Sequence, residues 1–581
     1  MPAAPSSSPP STGTGTGTGI TKLTNCRLVI NDSLISSDLF ISSQTGKIIS
    51  PSDSSTRTPD ITINLHNRIV SPGLIDCQLN GAFGFNFSSF TSSTEYIKNI
   101  HHLNTKLIRT GVTSYLPTLT SQRPELYHSV LPHLGPLHPS TSVTPNSNND
   151  DHENKRDRNP QNGTESLGAH VEGPFLSPSQ HGIHDRSVLR TATSFHDLES
   201  VYGPSNLSSG AIKMITLAPE LSSGPNGTSI TTLIPRLTSS GIIVSLGHTQ
   251  TPLPLASLAF RSGAKMITHL FNAMRPLHHR DPGLFGLFGL PDQQKDGKLY
   301  YGVIADGIHL HPSVVAMAYN LHPEGFILVT DAMHLVGMED GRYEWCNGER
   351  REWIEKRGGR VFIAVSPEEE EEGRASRRAG GGMLLEEAQG QQQNEGWGDV
   401  ITGIVAGNDK VNGSAAEVDM TTNGTMNGHN GTVDGHSGHN GTTNADTTNG
   451  TTNADTNGQP NGNPNANNPT AEEKSEKKKW GNIAGSSSTL LQCLNNLLQW
   501  TDLSIPKALA SVTSTPAEML DLKGVKGSLV PGADADLVVF EEVDVEVDDM
   551  LGGEKVRRKQ LVLEEVWKFG VRVFERDGLA G

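Results

Sequence analysis

The chain has 581 residues, a formal net charge of −17 and only 34% hydrophobic residues. That length suits several domains or one large barrel with additions, and the acidic balance argues against a nucleic-acid partner, because phosphate backbones need basic faces. With 62 glycines and 34 prolines against so few apolar residues, part of the chain is expected to stay outside any core.

In chain order, residues 1–19 ("MPAAPSSSPPSTGTGTGTG") have neither the basic start nor the apolar stretch of a secretory signal, and read as a disordered tail. Residues 20–70 ("KLTNCRLVINDSLI", "GKIIS", "RIVSPG") read as short strands separated by turns. Eight apolar, β-branched runs then follow over 72–340: "GLIDCQLN", "TSYLPTLT", "LGAHVEG", "AIKMITLAPE", "GIIVSLGHT", "AKMITHLF", "YYGVIADG" and "GFILVTDAM". Unbroken apolar runs suit strands buried on both faces, and their alternation with helix-like stretches predicts parallel βα units. Eight such units predict a (β/α)8, TIM-like barrel. Two polar inserts, near 140–165 and 405–478, lack the apolar residues that offset chain-ordering entropy and read as disordered. Residues 486–521 read as helical and complete the barrel region, 71–521. Residues 522–581 ("GSLVPGADADLVVF", "VWKFGVRVF") read as strands that pair with 20–70 in a small β-sandwich.

Cys26, Cys77, Cys346 and Cys493 are far apart and form no CxxC pair. That spacing suits a reducing, cytoplasmic setting. No window approaches the ~20 apolar residues of a membrane span, so no membrane partner is expected.

Polar residues end the eight runs. In a barrel those ends meet at one face, where the βα loops build active sites. Glu172 ("HVEGPF"), His248 ("SLGHT"), His269 ("THLFNAM"), His309 and Asp331 ("LVTDAM") are therefore expected to converge. One carboxylate and two imidazoles make a sound ligand set for a Zn2+-like ion with an open position for water. Each of the three also has a structural reading, as a paired core carboxylate or a satisfied core histidine. Asp331 fits two roles, a general acid/base beside the ion or a helix N-cap ahead of "AM".

The motifs "PGLIDCQLNG", "HVEGPF", "LGHT", "THLFNAM…HHRDPG", "IADGIHLHP", "VTDAM", "IAGS" and "GADADLVVF" resemble the N-acetylglucosamine-6-phosphate deacetylases of the amidohydrolase superfamily. The resemblance implies Glu172, His248 and His269 as metal ligands and Asp331 as general acid/base. It places His184 near the acetyl carbonyl with Ile183 beside it. It puts Asn272, Ala273 and Arg280 on the phosphate, Arg280 reaching across a homodimer interface. Asp306, Gly307, Ile308 and His309 line the sugar pocket, and Ile483, Ala484 and Gly485 close it. His278 and His279 are expected to be structural or to support the contacting residues from behind.

Many amidohydrolases carry His-x-His after the first strand. Here Gln78 and Asn80 stand in those places, and neutral amides are poor ligands for a transition metal. One divalent ion per subunit is expected, Zn2+ foremost, with Fe, Mn or Co as alternatives. The expected reaction is hydrolysis of the acetamide of N-acetyl-D-glucosamine 6-phosphate, in amino-sugar catabolism. Two alternatives stay open: a related amidohydrolase acting on another amide or cyclic imide, and a non-catalytic sugar-phosphate-binding scaffold.

Overall fold

In the computed structural model the described residues are 19–54, 58–136, 158–221, 229–290, 297–347, 350–364, 366, 483–548 and 555–576. The expected disordered tail (up to residue 18) and the insert 405–478 lie outside them.

Eight parallel strands form a barrel: β1 (Leu74–Leu79), β2 (Val112–Leu119), β3 (Ala169–Glu172), β4 (Ile212–Leu217), β5 (Ile243–Leu246), β6 (Met266–Ile267), β7 (Tyr300–Ile304) and β8 (Phe326–Val329). They pair in sequence order from β1 to β8. The ring closes just beyond β8. Asp331 N donates to Gln78 O at 2.9 Å and Asn80 N to Ala332 O at 2.8 Å, with a parallel bridge between Leu79 and Ala332. Apart from Lys213 in β4, every barrel-strand residue is buried, as unbroken apolar runs require. Ile75, Leu116, Met214, Ile243, Met266 and Ile327 cluster with Met519 and Leu520. Because these come from strands all round the ring, this cluster fills the barrel interior.

The outer helices follow from local signals. Ser93–Leu107 starts where Ser92 Oγ accepts from Glu95 N, buries Tyr96, Ile100, Leu103 and Leu107, and its terminal turn ends at Gly111 with φ +90°. That is helical spacing of apolar residues between an N-cap and a left-handed glycine. The predicted helical stretch 486–521 resolves into Leu490–Trp500, Ile505–Ala510 and Ser514–Met519.

The terminal segments form one eight-stranded sheet. Strand 61–72 pairs in parallel with 20–30 on one side and antiparallel with 537–548 on the other. The sheet curls, so that Ala535 N donates to Gly46 O and Gly570 N to Ala535 O, both at 2.9 Å. Leu23, Ile41, Ile48, Val70, Val539 and Trp567 fill the space inside.

Two features depart from the sequence reading. Residues 158–165, placed in a disordered insert by composition, are ordered by tertiary partners. Arg158 pairs with Asp534 at 2.7 Å, and Thr164 Oγ1 donates to Val112 O at 2.7 Å. Strands Gly341–Asn347, Arg350–Arg357 and Arg360–Ala364, within the stretch read as barrel, form an antiparallel sheet joined by Ile483–Ser486. Trp345, Ile354 and Val361 from this sheet pack on Met333 and Leu335. Its charged, interrupted alternation ("GERREWIEKRGGRVFIA") hides a strand pattern whose apolar face is one residue in several.

Candidate active site

Glu172 ends β3, His248 lies two residues past β5, and His269 lies two residues past β6. All three are buried, and their ligand atoms lie within 4.8 Å of one another. Among the described residues this is the one group of three or more His, Cys, Asp or Glu side chains placed to hold a metal ion. His269 Nε2 lies 2.9 Å and His248 Nε2 3.2 Å from Glu172 Oε1, and the two Nε2 atoms are 3.1 Å apart.

Proton placement follows from the partners. His248 Nδ1 is 2.7 Å from Gln180 O. A carbonyl oxygen only accepts, so Nδ1 carries a hydrogen and Nε2 is the nitrogen left facing Glu172 and His269. Two facing imidazole nitrogens and a carboxylate oxygen then converge on one point, a donor set suited to a divalent transition-metal ion. Burial pushes the Glu172 carboxyl up, but hydrogen bonds from His248 and His269 outweigh it and hold it well below its ordinary range. Burial lowers His269, yet Glu172 raises it to about 9.

Asp331 follows β8 with φ +47°, and the residues after it form a turn rather than a helix. The N-cap role is therefore excluded. Its Oδ1 accepts from Asn80 Nδ2 at 2.7 Å and Gln78 Nε2 at 3.2 Å, while Gln78 Nε2 also reaches Glu172 Oε1 at 3.1 Å. The two amides that replace His-x-His thus donate to carboxylates. Burial, then the Glu172 charge, raise Asp331 to about 6.

His184 Nδ1 accepts from Ser121 N at 3.0 Å. This fixes the hydrogen on Nε2, which points toward Glu172 Oε2 at 3.8 Å. Burial, then His248, lower His184 to about 3, so the ring is a neutral donor facing Glu172, His248 and His269.

In sequence and in fold the chain is similar to known proteins. The amidohydrolase family model matches residues 489–574. N-acetylglucosamine-6-phosphate deacetylase of Mus musculus is 38% identical over 330 residues, 56% of this chain and 72% of that protein. The Homo sapiens protein of the same name is 36% identical over 351 residues, 59% and 76% of the two chains. The chain belongs to the N-acetylglucosamine-6-phosphate deacetylase family.

Solved deacetylases share the fold. The Pasteurella multocida enzyme superposes with a TM-score of 0.57 at 18% identity, covering 95% of this chain and 99% of that one. A Mycobacterium smegmatis variant in complex with N-acetyl-D-glucosamine-6-phosphate gives 0.56 at 19% identity, covering 95% and 98%.

The other residues expected from the deacetylase motifs spread around the same barrel face. Asp306 Oδ1 accepts from the backbone N of Ile308 and His309, both at 2.9 Å, and Oδ2 meets His309 Nδ1 at 2.8 Å. Gly307, at φ +76°, makes this tight corner. Ile183 packs against the Met333 and Leu335 cluster. Strand 483–486 runs beside residues 331–333, with Met333 N donating to Ser486 O at 2.8 Å. Gly485 has φ +144°, and a Cβ there would come within 2.6 Å of Met333 Cγ. Asn272 N donates to His269 O and Ala273 O accepts from Thr249 N. Arg280 is not brought into this cluster: its side chain is exposed and makes no ion pair with any described residue. Asp281 pairs instead with Arg275 at 2.9 Å and accepts from Leu253 N, which ties the loop down.

Four of these candidate positions, His248, His269, Ala273 and Asp331, have positive φ without being glycine. Such backbone costs energy and collects at working sites. Sequence reasoning missed Gln180, whose carbonyl sets the His248 tautomer, and Ser121, which sets that of His184. It also passed over Glu220 in "LAPE", a carboxylate just past β4, where the same strand-end signal that singled out Glu172 was available.

Proposed function

We propose that the chain hydrolyses the acetamide of N-acetyl-D-glucosamine 6-phosphate to D-glucosamine 6-phosphate and acetate, using one divalent ion held by Glu172, His248 and His269. The observation that carries this is the convergence of those three ligand atoms within 4.8 Å, joined to Asp331 through Gln78. The ion supplies Lewis acidity toward the acetamide carbonyl and the attacking water. Zn2+ is the ion we favour, and the neutral amides of Gln78 and Asn80 argue for a single ion per subunit.

Asp331 acts as general base and then general acid. Asn80 and Gln78 occupy its Oδ1, which leaves Oδ2, with no hydrogen bond among the described residues, to take the water's proton. The same oxygen returns that proton to the departing amine. His184 Nε2–H stabilises the charge that develops on the carbonyl oxygen. Asp306, Gly307, Ile308 and His309 line the sugar, and Ile183 and residues Ile483, Ala484 and Gly485 close over it. Asn272 and Ala273 contact the phosphate, and Arg280 supplies a guanidinium fork to it from the second subunit of a homodimer. The exposure of Arg280 in a single chain supports that placement. A cytoplasmic enzyme fits the unpaired cysteines, and no helix among the described residues is long and apolar enough to cross a membrane.

The test is acetate release from N-acetyl-D-glucosamine 6-phosphate by protein carrying one equivalent of Zn2+, lost on chelation and restored by adding the ion. Metal-loaded, folded protein that releases no acetate would overturn the assignment.

A further inference from the structure

Glu220 stands at the mouth of the barrel, three residues past β4, yet neither of its oxygens is free to react. Gln250 N donates to Oε1 at 2.7 Å, and Thr249 Oγ1 donates to Oε2. Both donors belong to the corner that immediately follows His248, where the backbone is left-handed at φ +48°. Thr249 is buried and ties that corner onward. Thr249 N donates to Ala273 O and Arg275 N to Thr249 O, both at 3.2 Å. Arg275 in turn holds Asp281, the residue after Arg280.

One carboxylate therefore anchors two things at once. It holds the strained corner that aims the His248 ring, and through Thr249 it fixes the backbone of Ala273 and the loop carrying Arg280. An N–H and a hydroxyl that lose a partly buried carboxylate acceptor must find water or move. Here movement turns the His248 ring away from Glu172 and shifts the phosphate loop with it.

We infer that Glu220 is a positioning residue that couples the metal-ligand corner at His248 to the phosphate-contacting loop at residues 272–275. The inference rests on the proposed roles of His248 and of that loop. It touches neither ion nor substrate, so its effect is transmitted through Thr249 and Gln250.

The test measures Zn2+ affinity by competition with a chromogenic chelator, together with kcat and KM, in Glu220→Ala, Glu220→Gln, Thr249→Val and His248→Ala. Partners that orient metal ligands typically change affinity by about 10–100-fold. Glu220→Ala is expected to weaken Zn2+ at least about 10-fold and to raise KM for the phosphorylated substrate. Glu220→Gln is expected to retain most of the affinity, because its carbonyl still accepts from Gln250 N and its amide can donate to the Thr249 hydroxyl. If Glu220→Ala does not fold, Thr249→Val decides, with weaker Zn2+ binding expected. A lower melting temperature with unchanged Zn2+ affinity and unchanged KM would overturn the inference. His248→Ala separates the two levels. If it too leaves Zn2+ affinity unchanged, the ligand assignment is wrong; if it abolishes binding while Glu220→Ala does not, the coupling alone fails.

Discussion

Removing His184 isolates one contribution to catalysis from metal binding. Ser121 N–H holds Nδ1, so the ring's single hydrogen sits on Nε2. Burial keeps the ring neutral, with a pKa lowered to about 3, so from about pH 4 upward it is an uncharged donor with its one hydrogen on Nε2. Nε2 is 3.8 Å from Glu172 Oε2, too far for a good hydrogen bond. The N–H is therefore not spent on the ground state and remains for charge that develops later. Losing one such preorganised donor costs about 10²–10³ in kcat, roughly 2.7–4 kcal/mol. His184→Ala is expected to lose that much in steady-state acetate release while retaining one equivalent of metal by elemental analysis. His184→Gln, whose amide restores a donor at some distance from the original, is expected to fall between. The pH profile should carry no limb assignable to this ring. A fully metallated His184→Ala variant within about threefold of the parent kcat would refute the donor role. An acid limb near pH 6 that disappears in His184→Gln would show that the ring titrates, and would overturn the tautomer argument.

Asp331→Asn preserves shape but removes the proton acceptor, and kcat should fall at least ~10²-fold with the metal still bound, as measured by turnover alongside metal content. Arg280→Ala should weaken the phosphorylated substrate by roughly 2–5 kcal/mol, the range for breaking a buried charge pair, and leave unphosphorylated N-acetylglucosamine nearly unaffected. Mixing it with Asp331→Asn chains should recover activity if Arg280 serves the neighbouring pocket; confirmed heterodimers without recovery would place it elsewhere. Asp76 accepts from Thr330 Oγ1 at 2.6 Å at the barrel seam, and burial raises it from 3.8 to about 7. A raised carboxyl makes the folded state bind the extra proton, so stability is lost as pH rises from about 4 through 7. A rise of that size corresponds to roughly 4 kcal/mol. Asp76→Asn should flatten that part of the stability profile, read by denaturant titration at several pH values.

The sequence by itself determined the barrel and picked out the polar residues at its strand ends. A strand buried on both faces must be an unbroken apolar run, so all eight strands were legible, and a carboxylate or imidazole ending such a run stands out because burial there is costly without a partner. Those two signals located Glu172, His248, His269 and Asp331. Only the tertiary structure decided what these residues can do. It excluded the helix-cap role of Asp331 through a left-handed backbone followed by a turn. It assigned the hydrogens of His184 and His248 through Ser121 and Gln180, which are distant in sequence. It ordered residues 158–165 through Asp534 and Val112. It also set a four-stranded sheet over Met333 and Leu335 from a charged stretch with no clear period. In each case the deciding energy lies in contacts between residues far apart along the chain. Composition and periodicity report what a residue can bury locally, but not which partner it will meet.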